Sequence, residues 1–141
     1  MKRVLILCTG NSCRSQMAEG IINQALAGEW SAVSAGTEPA GYVHPQALEA
    51  MAEIGIATDG MVSKHVGQFV DQPFDAVVTV CDSAAESCPM WFGMGKVYHQ
   101  PYFDPAKAQG TPEEVMAVFR QVRDQIREEL PALLQRHSAT A

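Results

Sequence analysis

The stretch Val4-Leu5-Ile6-Leu7-Cys8-Thr9-Gly10-Asn11-Ser12-Cys13-Arg14-Ser15 decides how this chain reads. Its first four residues form an apolar run without polar alternation, the pattern of a strand buried on both faces. Downstream, Met17, Ala18, Ile21, Ile22, Ala25 and Leu26 fall on one side of a helix. The segment is therefore strand, tight loop, helix. Such a loop aims backbone N–H groups at one point near a helix N-terminus, which makes an oxyanion site. No Gly-Lys-Ser/Thr follows the glycine, so this is not a nucleotide-type phosphate loop.

A cysteine opens the loop and an arginine closes it. Loop amides and the nearby guanidinium both favour the thiolate of Cys8. Arg14 offers a planar fork suited to two oxygens of a tetrahedral anion. Gly10 is expected to permit the tight turn, and Asn11 to take a left-handed position or tie the loop by its side chain. Ser15 is placed to cap the helix and to donate to the sulfur. The oxyanion cradle is thus expected over Thr9, Gly10, Asn11, Ser12, Cys13, Arg14 and Ser15. Its chemistry is attack by sulfur on a bound oxyanion. The bland alternative is a structural strand ending in an inert buried cysteine.

The 141 residues suffice for one domain, 1–141, with its own core. A formal charge of −6, from 10 basic and 16 acidic residues, argues against nucleic acid, and no basic patch offsets it. An anionic substrate must then be held by local donors. Four cysteines and an N-terminus whose apolar run is too short for a signal or membrane segment point to a reducing, cytoplasmic setting. No metal-spaced cysteine–histidine cluster is present, and His44, His65, His99 and His137 read as ordinary surface or capping residues.

Further along, Gly28 is expected to end the first helix and Trp30 to Gly36 to form a second strand. His44-Pro45 opens a helix with Ala47, Leu48, Met51, Ala52 and Ile54 on its apolar face. Ser63 is expected to cap a short helix containing Val66, Phe69 and Val70. Phe74 to Val80 reads as a core strand and Lys96 to His99 as the last one. Thr111, Pro112 and Glu114 write a capping box. The helix it starts carries Val115, Val118, Phe119, Val122, Ile126 and Leu130 as a core stripe, with a frayed tail from Gln135. Strand–helix alternation of this kind implies an α/β fold, a parallel sheet covered on both faces.

Cys81 ends its strand as Cys8 ends the first, and in a parallel sheet both lie at the edge where ligand crevices form. Residues 82 to 88 read as a short helix. Across seven residues a helix rises about 10.5 Å, whereas a disulfide needs Cα atoms within about 7 Å. Cys81 and Cys88 therefore bond only if that helix unwinds; otherwise they are two core thiols. Met90, Trp91 and Phe92 just beyond could become an apolar face offered to a reductant protein. Asp104, before a stiffening proline at the same edge, is either the general acid or a simple capping residue.

With these residues in view, the chain resembles the low-molecular-weight protein tyrosine phosphatases, and more specifically their relatives, the thioredoxin-coupled arsenate reductases. The resemblance runs through the Cys8–Ser15 loop, Ser34-Ala35-Gly36-Thr37, His44-Pro45, Ser63-Lys64, the segment from Val77 to Cys88-Pro89, and Phe103-Asp104-Pro105-Ala106. It implies a three-layer sandwich with a four-stranded parallel sheet and helices on both faces. It also implies reduction of arsenate by a relay through Cys8, Cys81 and Cys88. Arg14 would hold the oxygens, Asp104 would protonate the departing one, phosphate or sulfate would compete, and thioredoxin would reduce the final disulfide. No tightly bound cofactor is implied, although some relatives hold potassium through side chains like Asn11, Glu19 and Ser34. A monomer with no membrane or nucleic-acid partner is expected. A tyrosine phosphatase is the first alternative, disfavoured because no tyrosine follows Asp104-Pro105; a non-enzymatic thiol sensor is the second.

Overall fold

The computed structural model describes residues 1–82, 90–91 and 93–140. Four strands, β1 (Lys2–Cys8), β2 (Trp30–Gly36), β3 (Ala76–Thr79) and β4 (Lys96–His99), form one sheet in the order β2-β1-β3-β4. Every pairing is parallel, with Cys8 opposite Gly36 and Leu7 opposite Thr79. Helices α1 (Arg14–Ala25), α2 (Pro45–Ala52) and α3 (Pro112–Thr140) complete the frame.

The uninterrupted apolar run follows from the position of β1 between β2 and β3. Val4, Ile6 and Cys8 pack with Met17, Ile21, Met51, Phe119 and Ile126 from the three α-helices. Leu5 and Leu7 point to the other face, where Phe69 and Phe74 meet them beside the 3-10 helix Val66–Gln68. Both faces are covered, so a strand here has no use for a polar residue. At the sheet's edge β4 is largely exposed and carries Lys96 and His99.

Local signals held where they concerned neighbours in the chain. The Thr111 hydroxyl accepts from the Glu114 amide while the Glu114 carboxylate accepts from the Thr111 amide, both at 3.2 Å, closing the capping box. Other expectations need correcting. Helix α1 ends at Ala25, and Gly28 lies in the turn beyond with φ of 85°. Of the expected α2 face, Ala47 and Met51 are buried but Ala52 is exposed, because the helix stops there and the chain turns at Gly55. Ser63 caps nothing: the 3-10 helix is capped by His65, whose ring accepts from the Gly67 amide. The segment after Gln135 stays helical, since the Trp30 indole donates to Ser138 and His137 meets Tyr98 at 2.6 Å. Residues 83–88 of the expected helix, Cys88 among them, and Phe92 lie outside the described residues.

Candidate active site

Residues Cys8 to Arg14 and Asp104 line a cavity of about 190 Å³ at the C-terminal edge of the sheet. The loop owes its shape to its carbonyls. Thr9 O accepts from the Glu38 amide, Gly10 O from the Ala40 amide and Ser12 O from the His44 amide. In a planar trans peptide the next N–H points opposite its carbonyl. The amides of Gly10, Asn11 and Cys13 are thereby turned away from the 38–44 loop, and that of Asn11 donates to Cys8 Sγ at 3.3 Å. The result is a concave array of donors of the kind that holds anions.

The left-handed residue of the turn is Asn11, with φ of 47°. Its side chain ties the loop as well, so both readings of Asn11 hold. Gly10 is not what the turn demands, for a Cβ there would meet nothing closer than 3.8 Å. The required glycine is Gly36, where a Cβ would sit 2.3 Å from Thr9 O. Strand β2 passes so close under the loop that only a missing side chain fits.

Cys8 Sγ lies 2.9 Å from Ser15 Oγ. Ser15 is the second residue of α1, behind the sulfur rather than on the cavity wall. The helix N-cap is Cys13, with no side-chain cap bond, so the capping role expected of Ser15 is not the one it plays. Burial, foremost, pushes the Cys13 thiol up to about 12, leaving it neutral beside the anion cradle.

Arg14 is buried, donates to Tyr102 O at 3.2 Å, and lies 3.6 Å from Asp104 Oδ2. The other Asp104 oxygen accepts from the Ala106 amide at the start of the 3-10 helix Pro105–Lys107. Asp104 is thus a capping residue whose second oxygen faces Arg14 on the cavity wall.

Strand β3 delivers Cys81. The Val80 amide donates to Leu7 O, so Cys81 leaves β3 beside the point where Cys8 leaves β1. Cys81 is buried and disulfide-bonded, whereas Cys8 and Cys13 are the free cysteines among the described residues. Cys88 falls outside those residues.

Behind the loop, Asn11 Oδ1 accepts from the Lys64 amide at 2.8 Å and from Gln16 Nε2 at 3.0 Å. Asn11 Nδ2 donates to Ser15 Oγ and Ser34 Oγ, and Ser34 donates to Glu19 Oε1. The Lys64 ammonium stands 3.4 Å from that same Glu19 oxygen. Asn11, Glu19 and Ser34 are thus brought together in one hydrogen-bonded chain that ends against Lys64. Among the described residues no group of three or more His, Cys, Asp or Glu could hold a metal ion.

Sequence reasoning gave no site role to Gln16, Gly36 and Lys64, and it read Ser63 as a helix cap. Ser63 Oγ donates to Gly10 O and accepts from the Gly41 amide, stitching the two loops. Gln16 shares the polar side of α1 with Glu19 and Asn23, so nothing in the sequence signals that it is wholly buried, with Nε2 also donating to Val62 O.

Residues 3–140 match the family described as low molecular weight phosphotyrosine protein phosphatase. Among curated proteins, the arsenate reductase of Halalkalibacterium halodurans is 50% identical over 125 residues, covering 89% of each chain. The crystal structure of an arsenate reductase from Archaeoglobus fulgidus superposes with a TM-score of 0.78 at 30% identity, over 94% of this chain and 98% of that one. An arsenate reductase in a phosphate-binding state gives a TM-score of 0.75 at 32% identity, over 96% and 98%.

Proposed function

The chain belongs to the low molecular weight phosphotyrosine protein phosphatase family, and from that premise we propose that it reduces arsenate to arsenite through a relay of three cysteines. One juxtaposition carries the reading: a free Cys8 on the wall of an anion-sized cavity, with a disulfide-bonded Cys81 leaving the adjacent strand. A phosphatase needs only the first of these.

Arsenate enters with its oxygens toward the loop amides and the Arg14 fork. Cys8 Sγ attacks arsenic, and the departing oxygen leaves as water with a proton from Asp104. With Cys81 as a thiolate, its sulfur attacks Cys8 Sγ. The sulfur–arsenic bond breaks with its electron pair on arsenic, which leaves as arsenite, and a Cys8–Cys81 disulfide remains. Cys88 attacks Cys81, returning Cys8 as a thiolate and leaving Cys81–Cys88. A dithiol reductant of the thioredoxin type reduces that bond. A disulfide at Cys81 together with a free Cys8 is the pattern the last stage leaves behind. Met90, which is 77% exposed beside this segment, suits the docking of such a reductant. Phosphate and sulfate, tetrahedral and of like charge, compete for the loop. Relay thiols call for a reducing compartment, here the cytoplasm, and no helix among the described residues is long and apolar enough to cross a membrane.

The test is steady-state arsenate turnover with thioredoxin and thioredoxin reductase. Cys88→Ser should stop turnover after one cycle and trap a Cys8–Cys81 bridge in peptide mass maps. Normal arsenate reduction while residues 81 and 88 both stay free thiols would sink the reading.

A further inference from the structure

We propose that Lys64 is the resident cation of this site. Its ammonium occupies the place that a potassium ion would take against Glu19, and it fixes the polarity of the hydrogen-bond chain behind Cys8. The inference rests on Cys8 being the nucleophile.

Lys64 is held by its backbone before its side chain is considered. Its amide donates to Asn11 Oδ1 at 2.8 Å, and its carbonyl accepts from the Gly36 amide at 2.9 Å. From that fixed base Nζ donates to Val62 O at 3.0 Å and faces Glu19 Oε1 at 3.4 Å. The pair is largely shielded, with side-chain exposures of 17% for Lys64 and 15% for Glu19. A carboxylate this far from water needs a counter-charge, and a tethered ammonium supplies one without recruitment from solution.

The donor set does not fit potassium as it stands. An ion of that kind wants several oxygens open toward one point. Asn11 Oδ1 already accepts from two N–H donors, and those two bonds fix the orientation of its amide. Both Nδ2 protons are therefore committed, one to Ser15 Oγ at 2.8 Å and one to Ser34 Oγ at 2.9 Å. Ser34 must then send its own proton to Glu19, at 2.9 Å. Ser15, having accepted from Asn11, has its proton left for Cys8 Sγ at 2.9 Å. The chain has one consistent proton order. It ends with a hydroxyl donating to the attacking sulfur, and its anchor at the far end is the Glu19–Lys64 pair. Lys64 is a positioning residue: it acts on the sulfur only through Glu19, Ser34, Asn11 and Ser15.

The test compares the wild type, Lys64→Met and Lys64→Arg in potassium, sodium and lithium chloride at equal ionic strength. Three readouts are taken: melting temperature, the rate at which iodoacetamide alkylates Cys8, and kcat/KM for arsenate. The wild type should be indifferent to the choice of cation in all three. Lys64→Met should lose about tenfold in kcat/KM and in alkylation rate, the scale of one charge-assisted hydrogen bond. Potassium should restore much of both and raise the melting temperature, whereas lithium should not. Lys64→Arg keeps the charge and should stay indifferent. A wild type stabilised by potassium over lithium, or a Lys64→Met protein that potassium rescues in none of the readouts, overturns the assignment. Should Lys64→Met not fold, the wild-type and Lys64→Arg comparisons decide. If the wild type reduces no arsenate, the proposed activity falls, while melting and alkylation still judge Lys64.

Discussion

Asp104 faces Arg14 with one oxygen, Oδ2 at 3.6 Å from Nη2, and with the other, Oδ1, it holds the amide of Ala106. One oxygen is held in the cap, and the other faces the cavity, where the proposed acid role would need it. Asparagine can keep the cap, since its carbonyl accepts as the carboxylate does, but it has no proton to give a leaving oxygen. Asp104→Asn should lower kcat for arsenate by about a hundredfold with little change in KM or melting temperature. Asp104→Ala should lower melting temperature as well. Steady-state kinetics beside thermal melts separate the two duties: an unchanged kcat in Asp104→Asn would remove the acid role, and equal stability loss in both variants would contradict the retained cap.

Ser15 lies 2.9 Å from the Cys8 sulfur and is fully buried. A hydroxyl donated to a thiolate is a charge-assisted bond, stronger than its neutral counterpart. Ser15→Ala removes that donor and leaves one Asn11 proton without an acceptor. Alkylation of Cys8 at neutral pH should slow by about tenfold, in line with a bond to a charged group. The melting temperature should fall too. Iodoacetamide kinetics followed by peptide mapping provide the check, and an unchanged rate would show that the sulfur does not depend on this hydroxyl.

What the sequence made legible were features whose cause is local. The apolar run of β1, the bounds of β2 and the Thr111–Glu114 capping box depend on neighbours within a few residues, and the structure has them where expected. The Cys8–Arg14 loop was legible because a strand end, a glycine and an arginine fall within one turn of chain. Ser15, Gly36, Ser63 and Lys64 were misread or passed over because their roles are set across the fold. Ser15 looks like a cap until the fold sets it against Cys8, and Lys64 shows no role until α1 brings Glu19 to it. The tail beyond Gln135 looked frayed because its partners, Trp30 and Tyr98, sit more than a hundred and nearly forty positions away.

The approach of β2 beneath the loop makes Gly36 the position least tolerant of a methyl group. A Cβ there would lie 2.3 Å from Thr9 O and 3.1 Å from the Asn11 amide nitrogen, both backbone atoms that cannot swing aside. Gly36→Ala must push the loop off the sheet, which should cost roughly 2–4 kcal/mol and weaken anion binding at the same time. Gly10→Ala has open space and should be far milder. Urea melts of the two variants, with and without phosphate, test the contrast; similar losses in both would contradict the close approach.

Far from the loop, Glu53 pins α2 to α3. Its carboxylate accepts from Arg120 at 2.7 to 3.1 Å and from Arg123 Nη1 at 2.8 Å. The Arg120 hydrogen bond foremost, then that of Arg123, holds the Glu53 carboxyl down to about 2 from its ordinary value of 4.5. The folded chain therefore prefers the ionised form more than the unfolded chain does. That preference stabilises the fold above the unfolded value and is lost as pH falls through the folded one. The wild type should melt higher than Glu53→Gln at neutral pH, and the gap should close as pH drops from about 4.5 to about 2. Added salt should narrow it as well, because both Arg120 and Glu53 are partly open to solvent. Paired melting curves across that pH range measure the gap, and a difference that stays constant down to pH 2 would mean that Glu53 contributes through packing rather than charge.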